Sequence, residues 1–561
     1  MTTSAPSQSP VRDLADRFWE WFLSSQPVFA TVLGDERFDD RLDDPSPEGR
    51  AAEVAAIHGF MADAAAVDAS DLDTEERITL DMLQVVGRIR LKSHEHRLHH
   101  FEAIDQMEGP QSLPGDLSRF QRLDTPQRFE RLLARLRAFP RYLEAHRSNF
   151  QEGLAAGRTA ARPVFERTIT QVRRAVETPV EESPLLAADK PLRAEQRTEL
   201  REVLDEVVKP ALVSYLAALE EALPSARSGD GLWALPDGED VYRTLIMAST
   251  TLEDDPQAFH DFGLEQIELI DAERLLIAQE LGFVDVAALR ASLEGDPANR
   301  PASREALVEL AREQITRAEA VAPTMFGRLP GAACEVRAVE AYQEAEAPPA
   351  FYYPPAPDGS RPGIYFINTY EPDSRRLHRL ATTTYHEAVP GHHFQITIES
   401  ELEDLPDFRR FGARLTGAAY PEGWGLYSER LADELGLFVD ARERLGMLDA
   451  QAWRAARLVV DTGIHAFRWD RQRSIDFLRE VAGLSQLEAA TETDRYIAWP
   501  GQALSYMTGQ REIAALRKQL EERDGERFDL SAFHDQVLGH GTLPLATLRR
   551  ELPNWVKPRE A

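Results

Sequence analysis

The residues that could do metal chemistry are concentrated in the segment 382–395, which reads TTTYHEAVPGHHFQ. A His-Glu pair followed by another histidine on one helix is how many zinc hydrolases build their sites. In the common HExxH form, the two histidines stand four residues apart on one helical face. Here the fourth residue after His386 is Pro390, so the strict motif fails. The chemistry of this segment therefore depends on how the chain bends after Glu387.

A Pro-Gly break separates His386 from the two candidates for the second ligand. On a straight helix, His392 would lie about 240° round and about 9 Å along from His386, too far to share one ion. Pro390 removes a helical hydrogen bond and Gly391 permits unusual conformations, so we expect the helix to bulge and bring His392 beside His386. His393 has the right angle but lies about 10.5 Å along the axis. The predicted second ligand is therefore His392, with His393 as the alternative.

A third ligand is needed, because a catalytic zinc usually takes three protein ligands and keeps one position for water. The best candidate is Glu422 in the segment 419–436, which we predict to be a helix that starts near Pro421 and stops at Gly436. Glu387 would face the open side of the metal, where it can act as general base. The sequence thus predicts one zinc per chain held by His386, His392 and Glu422, although Mn²⁺ and Co²⁺ accept the same ligand types.

Further side chains could stabilise the oxyanion of a tetrahedral intermediate, and the candidates are His465 and Tyr506. Asp461 lies four residues before His465, where it could orient the imidazole on a helix, or the two could form a buried pair that only fixes the helix. Tyr506 follows a Pro-Gly break and could reach a cleft, although a tyrosine at helical spacing also fits a core. Asp461 and Glu429 are candidates to accept hydrogen bonds from the ligand imidazoles. Glu429 also fits a solvated face.

Two other features have both a functional and a structural interpretation. The strand candidate GIYFINTY (363–370) could bind an extended peptide along its edge, or could form a plain hairpin. The cluster of His94, His96, His99 and His100 has spacings that allow metal binding. No carboxylate partner stands out in its sequence neighbourhood, so a solvated helix face is the prediction for this cluster.

Most of the chain has the sequence pattern of amphipathic helices. Apolar residues recur at three- and four-residue intervals in long segments that are rich in Ala, Leu, Glu and Arg. The clearest of these segments are 130–147, 194–222, 261–281 and 303–322.

The pattern changes near 346–370, where a Pro-rich stretch that cannot be regular helix precedes the short strand candidate. Helical periodicity then resumes near Leu377. We therefore predict a mainly α, large two-lobed helical fold with a small β element next to the metal helix. Residues 1–345 would form a helical scaffold lobe, and residues 346–561 a metal-binding catalytic region that is interwoven with it.

Composition indicates an ordinary water-soluble globular protein of 561 residues, with 43% hydrophobic and 28% charged residues. The formal net charge of −31 repels phosphate, which argues against nucleic acid and anionic membranes as partners. The single cysteine, Cys334, excludes an intrachain disulfide. The chain start does not resemble a secretory signal, and no stretch of about 18 apolar residues occurs. A cytoplasmic location is the resulting prediction, and the oligomeric state stays open.

Several blocks resemble the signatures of a bacterial family known as domain of unknown function eight-eight-five. They are HEAVPGHHFQ, PEGWGLYSERLADELG, DTGIHAFRW, YIAWPGQALSYMTGQ and, near the start, PVFATVLGDERFDD. The resemblance implies a branch of the zincin peptidases of gluzincin type, with a mostly helical, oligopeptidase-like fold and a cleft between helical lobes. PEGW resembles the NEGF segment that supplies the third zinc ligand of aminopeptidases, which implies that role for Glu422. The Gly391-His392 pair resembles the Gly-His pair that closes the zinc motif of helical oligopeptidases.

The function predicted from these observations is a zinc-dependent metallopeptidase that cleaves short or unfolded peptides with a metal-activated water. One alternative is a zinc amidohydrolase that acts on a non-peptide amide or ester. A second is a non-catalytic helical binding protein with a structural metal site. Glu387 argues against the second alternative, because a purely structural site has no need of a base.

Overall fold

The computed structural model describes residues 9–340, 344, 347–356, 359 and 361–559. Helices make up 71% of the chain, and the three strands form one small sheet, which confirms the mainly α fold class. The four segments with the clearest helical periodicity are all helical. Within the described ranges, no helix is both long enough and apolar enough to cross a membrane.

The helix starts follow from local side-chain chemistry. Thr125 accepts a hydrogen bond from the Arg128 amide, and Pro126 occupies the first position of the long helix that follows. Asp73 and Glu76 form a capping box, in which each side chain accepts a hydrogen bond from the other residue's backbone amide. Such caps satisfy amides that have no partner inside the helix. They explain why the helices begin where Ser, Thr or Asp precedes the apolar repeat.

The chain divides into two compact units, the first of which comprises Met1–Thr244, Ile464–Arg473 and Ala490–Pro500. The helices that lie wholly in its long N-terminal part are α1 Pro10–Ser25, α2 Pro27–Val32, α3 Pro47–Ala65, α4 Thr74–Glu95, α5 His99–Glu102, α6 Leu113–Phe120, α7 Pro126–Ala155, α8 Arg162–Glu177, α9 Ala194–Val203 and α10 Lys209–Ala222. A π-helical turn over Leu204–Val208 joins the last two.

The second unit comprises Leu245–Gly463, Ser474–Ala489 and Gly501–Ala561. Its helices are α12 Pro256–Glu280, α13 Val286–Gly295, α14 Arg304–Val321, α15 Leu380–Glu387, α16 His392–Ser400, α17 Asp407–Phe411, α18 Ala419–Glu434, α22 Ser505–Asp524, α23 Leu530–Leu538 and α24 Leu545–Trp555. The chain passes between the units within α11 Gly238–Thr250, α19 Ala441–His465, α20 Arg471–Ala482 and α21 Gln486–Ala498. The scaffold lobe over residues 1–345 and the interwoven catalytic region over residues 346–561 stay a prediction.

The small sheet consists of β1 Cys334–Ala338, β2 Ala350–Tyr353 and β3 Gly363–Ile367, in the order β1-β3-β2. β3 corresponds to the predicted strand and is parallel to β1 and antiparallel to β2. Both edges of β3 are therefore occupied, and the prediction that it binds a peptide by edge pairing is wrong. The alternative of a structural hairpin describes β2 and β3.

Helix α18 is the central element of the second unit for the candidate site. It packs along α22 and also contacts α15 and α16. Its side chains Trp424, Leu426 and Leu431 are fully buried. It begins close to the predicted start, with Glu422 in its first turn, and the chain turns at Gly436 with a positive φ. A rigid, buried helix thus presents Glu422 to α15 and α16.

Candidate metal centre

The His-Glu segment forms two helices joined by a tight turn, rather than one bulged helix. α15 ends at Glu387, the chain turns over residues 388–391 with a cis peptide bond before Pro390, and α16 begins at His392. A Cβ atom on Gly391 would lie 1.9 Å from the backbone oxygen of His386, so only glycine permits this close return. The prediction of a bulge is wrong, but the turn has the predicted effect. The rings of His386 and His392 lie 4.8 Å apart, centroid to centroid, and are nearly perpendicular.

The turn is held by α18. The backbone oxygen of Pro390 accepts hydrogen bonds from Nε1 of Trp424 at 3.0 Å and from Oγ of Ser428 at 3.4 Å. Both donors are buried. The helix that carries Glu422 therefore also fixes the turn that brings the two histidines together.

Three ligand atoms converge in this arrangement. Oε2 of Glu422 lies 3.3 Å from Nε2 of His386 and 3.7 Å from Nε2 of His392. Zinc bonds of about 2.0–2.2 Å at tetrahedral angles place neighbouring ligand atoms about 3.4 Å apart. The two distances to Oε2 of Glu422 are close to this value, and two imidazoles with one carboxylate are a donor set that suits zinc.

His393 is directed away from this convergence. Its Nδ1 lies 2.8 Å from the hydroxyl of Tyr352 in β2 and 3.3 Å from the hydroxyl of Thr397. Burial lowers its pKa to about 4, so the ring is neutral at pH 7. The geometry therefore favours His392 over His393 as the second ligand.

A glycine on α18 makes room for the first ligand. A Cβ atom on Gly425 would lie 2.7 Å from Cε1 and 2.8 Å from Nε2 of His386. The imidazole therefore rests directly on the helix backbone, one turn after Glu422. This clearance was not predicted, although the PEGWG sequence contains its signal.

Glu429 orients the same imidazole from behind. Its Oε1 lies 2.9 Å from Nδ1 of His386, and its Oε2 accepts a hydrogen bond from Gln451 at 2.9 Å. Oε1 of Gln451 in turn accepts from Gln510 at 3.0 Å. Glu429 is fully buried, so its interpretation as a solvated residue is wrong and its role as a partner of a ligand imidazole fits the geometry. Nδ1 of His392, in contrast, is buried without a hydrogen-bond partner among the described residues.

The electrostatics of the cluster favour positive charge where the ligand atoms converge. Burial alone lowers the pKa of His386, but hydrogen bonds to Glu422 and Glu429 outweigh it and raise that pKa to about 9. Burial raises the pKa of Glu422, but hydrogen bonds from His386 and His392 outweigh it and hold that pKa well below the usual range. The pKa of Glu387 is raised by burial, which the charges of the two histidines only partly offset.

Glu387 has one cationic neighbour that the sequence did not single out. A carboxylate oxygen of Glu387 lies within 4.8 Å of ligand atoms of His386 and His392. Arg454 of α19 exerts a charge effect that lowers the pKa of Glu387, and its NH2 lies 3.9 Å from Oε1 of Glu429. Its only sequence signal is its place three residues after Gln451, on the same face of α19.

His465 lies in the first unit and has both ring nitrogens engaged by backbone groups. Nδ1 accepts a hydrogen bond from the amide of Leu232 at 3.2 Å, so Nε2 carries the proton and donates to the backbone oxygen of Tyr496 at 3.0 Å. Asp461 accepts a hydrogen bond from the amide of Gly501, which lies 3.0 and 3.1 Å from its two carboxylate oxygens. Backbone groups thus engage both ring nitrogens, which leaves His465 no N–H for an oxyanion and does not match the predicted pair with Asp461.

Tyr506 lies in the first turn of α22, the helix that packs along α18. Its ring is covered by the guanidinium of Arg457, which lies 4.3 Å from the ring centroid. Its side chain is partly exposed. Its role as an oxyanion donor stays a prediction.

A comparison with models of protein families shows the family of the chain. The model described as "Bacterial protein of unknown function (DUF885)" matches residues 27–552. The chain belongs to this family. DUF885 is the family that the signature blocks of the sequence resemble, and the match includes every residue of the candidate metal centre. A comparison with curated proteins gives no match.

Solved structures of two other bacterial proteins have a similar fold. A protein described as a "putative lipoprotein" from Colwellia psychrerythraea is 28% identical, with a TM-score of 0.89 over 97% of this chain and 98% of that chain. A protein from Shewanella oneidensis, described as a "putative lipoprotein of unknown function", is 20% identical, with a TM-score of 0.77 over 96% of this chain and 99% of that chain. The second likeness shows the fold alone.

Proposed function

We propose that this chain is a zinc-dependent hydrolase, and most directly a metallopeptidase. The observation that carries the proposal is the convergence of Nε2 of His386, Nε2 of His392 and Oε2 of Glu422, with distances of 3.3 and 3.7 Å to the glutamate oxygen. Glu387 adds a carboxylate beside the two histidines. This is the residue set that zinc hydrolases use, namely three ligands and one adjacent base.

Each residue has a defined task in the proposed reaction. A zinc ion held by His386, His392 and Glu422 would supply Lewis acidity toward a carbonyl and toward water. Glu387 takes the proton of the attacking water and passes it to the leaving amine. The raised pKa of Glu387 makes this carboxylate a stronger base than an exposed one, as its task as proton acceptor requires. Glu429 holds Nδ1 of His386, which leaves Nε2 with its lone pair.

The substrate class rests on resemblance. The oligopeptidase-like signature blocks support short or unfolded peptides as substrates over folded proteins, by analogy of fold.

A cytoplasmic location stays a prediction, and the lipoprotein descriptions of the structural relatives are a reason to test it by fractionating cells that express the native gene product.

Metal content tests the site. We expect about one zinc at this centre in the wild type, lost in His386→Ala, His392→Ala and Glu422→Ala and kept in the matched neighbour His393→Ala. Elemental analysis after reconstitution with zinc gives the stoichiometry. Retention of all zinc in the first three variants would refute the ligand assignment.

Activity tests the reaction. Glu387→Gln preserves the shape of the site, so it should keep zinc and lower hydrolysis about 10²- to 10⁴-fold, the usual contribution of a general base. Quenched fluorescent peptide libraries and a panel of non-peptide amides and esters separate a peptidase from an amidohydrolase. Full zinc occupancy without hydrolysis of any compound would favour the non-catalytic binding protein.

A further inference from the structure

A second group of metal-ligand side chains lies in the first unit. Nε2 of His100 lies 3.6 Å from Oε1 of Glu152, and the rings of His99 and His100 lie 4.5 Å apart at an interplanar angle of 74°. One ligand atom from each of the three residues lies within 4.8 Å of the other two. The arrangement has the composition of the first centre, with two imidazoles and one glutamate.

Three buried ring nitrogens of His99 and His100 have no hydrogen-bond partner among the described residues. His100 is fully buried, and neither Nδ1 nor Nε2 has a hydrogen-bond partner among the described residues. The same holds for Nε2 of His99. Buried polar atoms are almost always hydrogen bonded, because leaving one unpaired costs its full desolvation. A metal ion would accept the lone pair of one nitrogen from each ring.

The local fold positions the group as a site. α4 ends at Glu95, and α5 begins anew at His99, so the two histidines are not on a long solvated helix as predicted. A Cβ atom on Gly153 of α7 would lie 2.9 Å from Cβ of His100, so glycine lets the imidazole approach α7 beside Glu152. NH2 of Arg50 lies 3.7 Å from Oε2 of Glu152, whereas the oxygen that lies 3.6 Å from Nε2 of His100 is Oε1. Ligating carboxylates are commonly held in this way by a second partner.

We propose that His99, His100 and Glu152 bind a second divalent transition-metal ion, which links α5 to α7. Two imidazoles and one carboxylate select first-row ions such as Zn²⁺ or Co²⁺ over Mg²⁺ or Ca²⁺. The side chain of Glu152 is half exposed, so the ion enters from solvent and water completes its coordination. The role is structural, because the three residues include no additional base comparable to Glu387.

Zinc stoichiometry tests the proposal in the full-length chain. We expect two zinc ions in the wild type after removal of metal and reconstitution with ZnCl₂. The double variant His386→Ala/Glu422→Ala should keep one. Adding His99→Ala or Glu152→Gln to that background should remove it, whereas adding His58→Ala, an exposed histidine, should not. His99 and Glu152 are preferable targets because His100 is fully buried and its replacement endangers folding.

The outcomes for the two centres are distinguishable. If the double variant is folded by circular dichroism but binds no stoichiometric zinc, the second site is refuted. It is also refuted if His99→Ala and Glu152→Gln leave zinc content unchanged. Should the double variant fail to fold, single His99→Ala and Glu152→Gln variants decide, with a fall from two zinc ions to one expected and no fall refuting the site. One zinc that depends on His99 but not on Glu422 would support this site and refute the proposed function.

Discussion

Replacing Glu429 by glutamine isolates the orientation of one ligand imidazole. In the wild type, one carboxylate oxygen of Glu429 lies 2.9 Å from Nδ1 of His386, and the other accepts a hydrogen bond from the amide nitrogen of Gln451 at 2.9 Å. The Gln451 amide cannot turn freely, because its oxygen accepts from Gln510. Glu429→Gln keeps the size of the side chain and removes one acceptor and one charge.

The new amide has no good orientation in this network. If the amide oxygen of the new glutamine faces Nδ1 of His386, its NH₂ group faces the NH₂ group of Gln451. Two buried hydrogen-bond donors then face each other without an acceptor. If it turns round, its NH₂ group faces Nδ1 and forces the ring proton onto Nε2, the atom that must bind the metal. Either arrangement weakens the site. Losing such a carboxylate typically costs 10- to 100-fold in metal affinity, about 1.4 to 2.8 kcal/mol, and the donor conflict favours the upper end.

Zinc affinity measured by competition with a chromogenic chelator at neutral pH tests this expectation. Thermal unfolding of the metal-free variant shows whether the fold is retained. The matched control is Glu434→Gln, which removes a charge from the same helix at a half-exposed position where the carboxylate pairs with Arg517 at 2.8 Å. We expect the control to bind zinc as the wild type does.

Two results would contradict this reasoning. A folded Glu429→Gln variant with wild-type zinc affinity would show that the carboxylate does not orient His386. An equal loss in Glu434→Gln would show that the net charge of the helix, and not the hydrogen bond, controls affinity.

Three further changes probe other contacts of the same unit. Gly425→Ala places a methyl group 2.7 Å from Cε1 of His386 and should lower zinc content, measured by elemental analysis, without unfolding α18; unchanged zinc would contradict the clearance argument. Arg454→Met should lower peptide hydrolysis about 10- to 1000-fold, as the loss of other electrostatic partners does in enzymes. Zinc affinity should stay the same or rise, because a nearby positive charge is removed. A parallel loss of hydrolysis and of zinc affinity would contradict this expectation. Burial raises the pKa of Glu399 from 4.5 to about 7. Between these pH values the folded chain holds a proton that the unfolded chain releases. The contribution of this proton to the free energy of unfolding is therefore fully present below pH 4.5 and is lost as the pH rises through 7. Glu399→Gln should flatten that slope in urea unfolding, and an unchanged slope would refute the assignment.

The helices were predictable because their signals are local. Periodicity over 194–222 matches α9 and α10, although nothing in the sequence indicates the π-helical turn between them. The sheet was predicted only at β3, whose buried apolar run is distinctive. β1 is short and largely exposed, and it becomes a strand by pairing with β3 from a distant part of the chain. Such pairing depends on tertiary contacts that a local pattern does not contain.

The two histidine groups show the same limit at the level of sites. The proximity of His386 and His392 was predicted from a break in a helix, and that of Glu422 from its place in the first turn of a second helix and from the family resemblance. Glu152 was not, because it lies 52 residues after His100 and nothing in its sequence context distinguishes it from other surface glutamates. Spacing identifies ligands within a rigid element, whereas partners from other elements become visible only when the elements are packed.

The face of α18 explains how histidines six residues apart still lie side by side in the candidate metal centre. Glu422, Gly425 and Glu429 stand at i, i+3 and i+7 and line one side of this helix. They supply a ligand, the space for an imidazole and the acceptor behind it. Trp424 and Ser428, also one turn apart, hold the turn that returns the second histidine. The geometry that HExxH achieves within one helix is here set by a second helix, because the contacts on α18 fix both histidines and not only the glutamate.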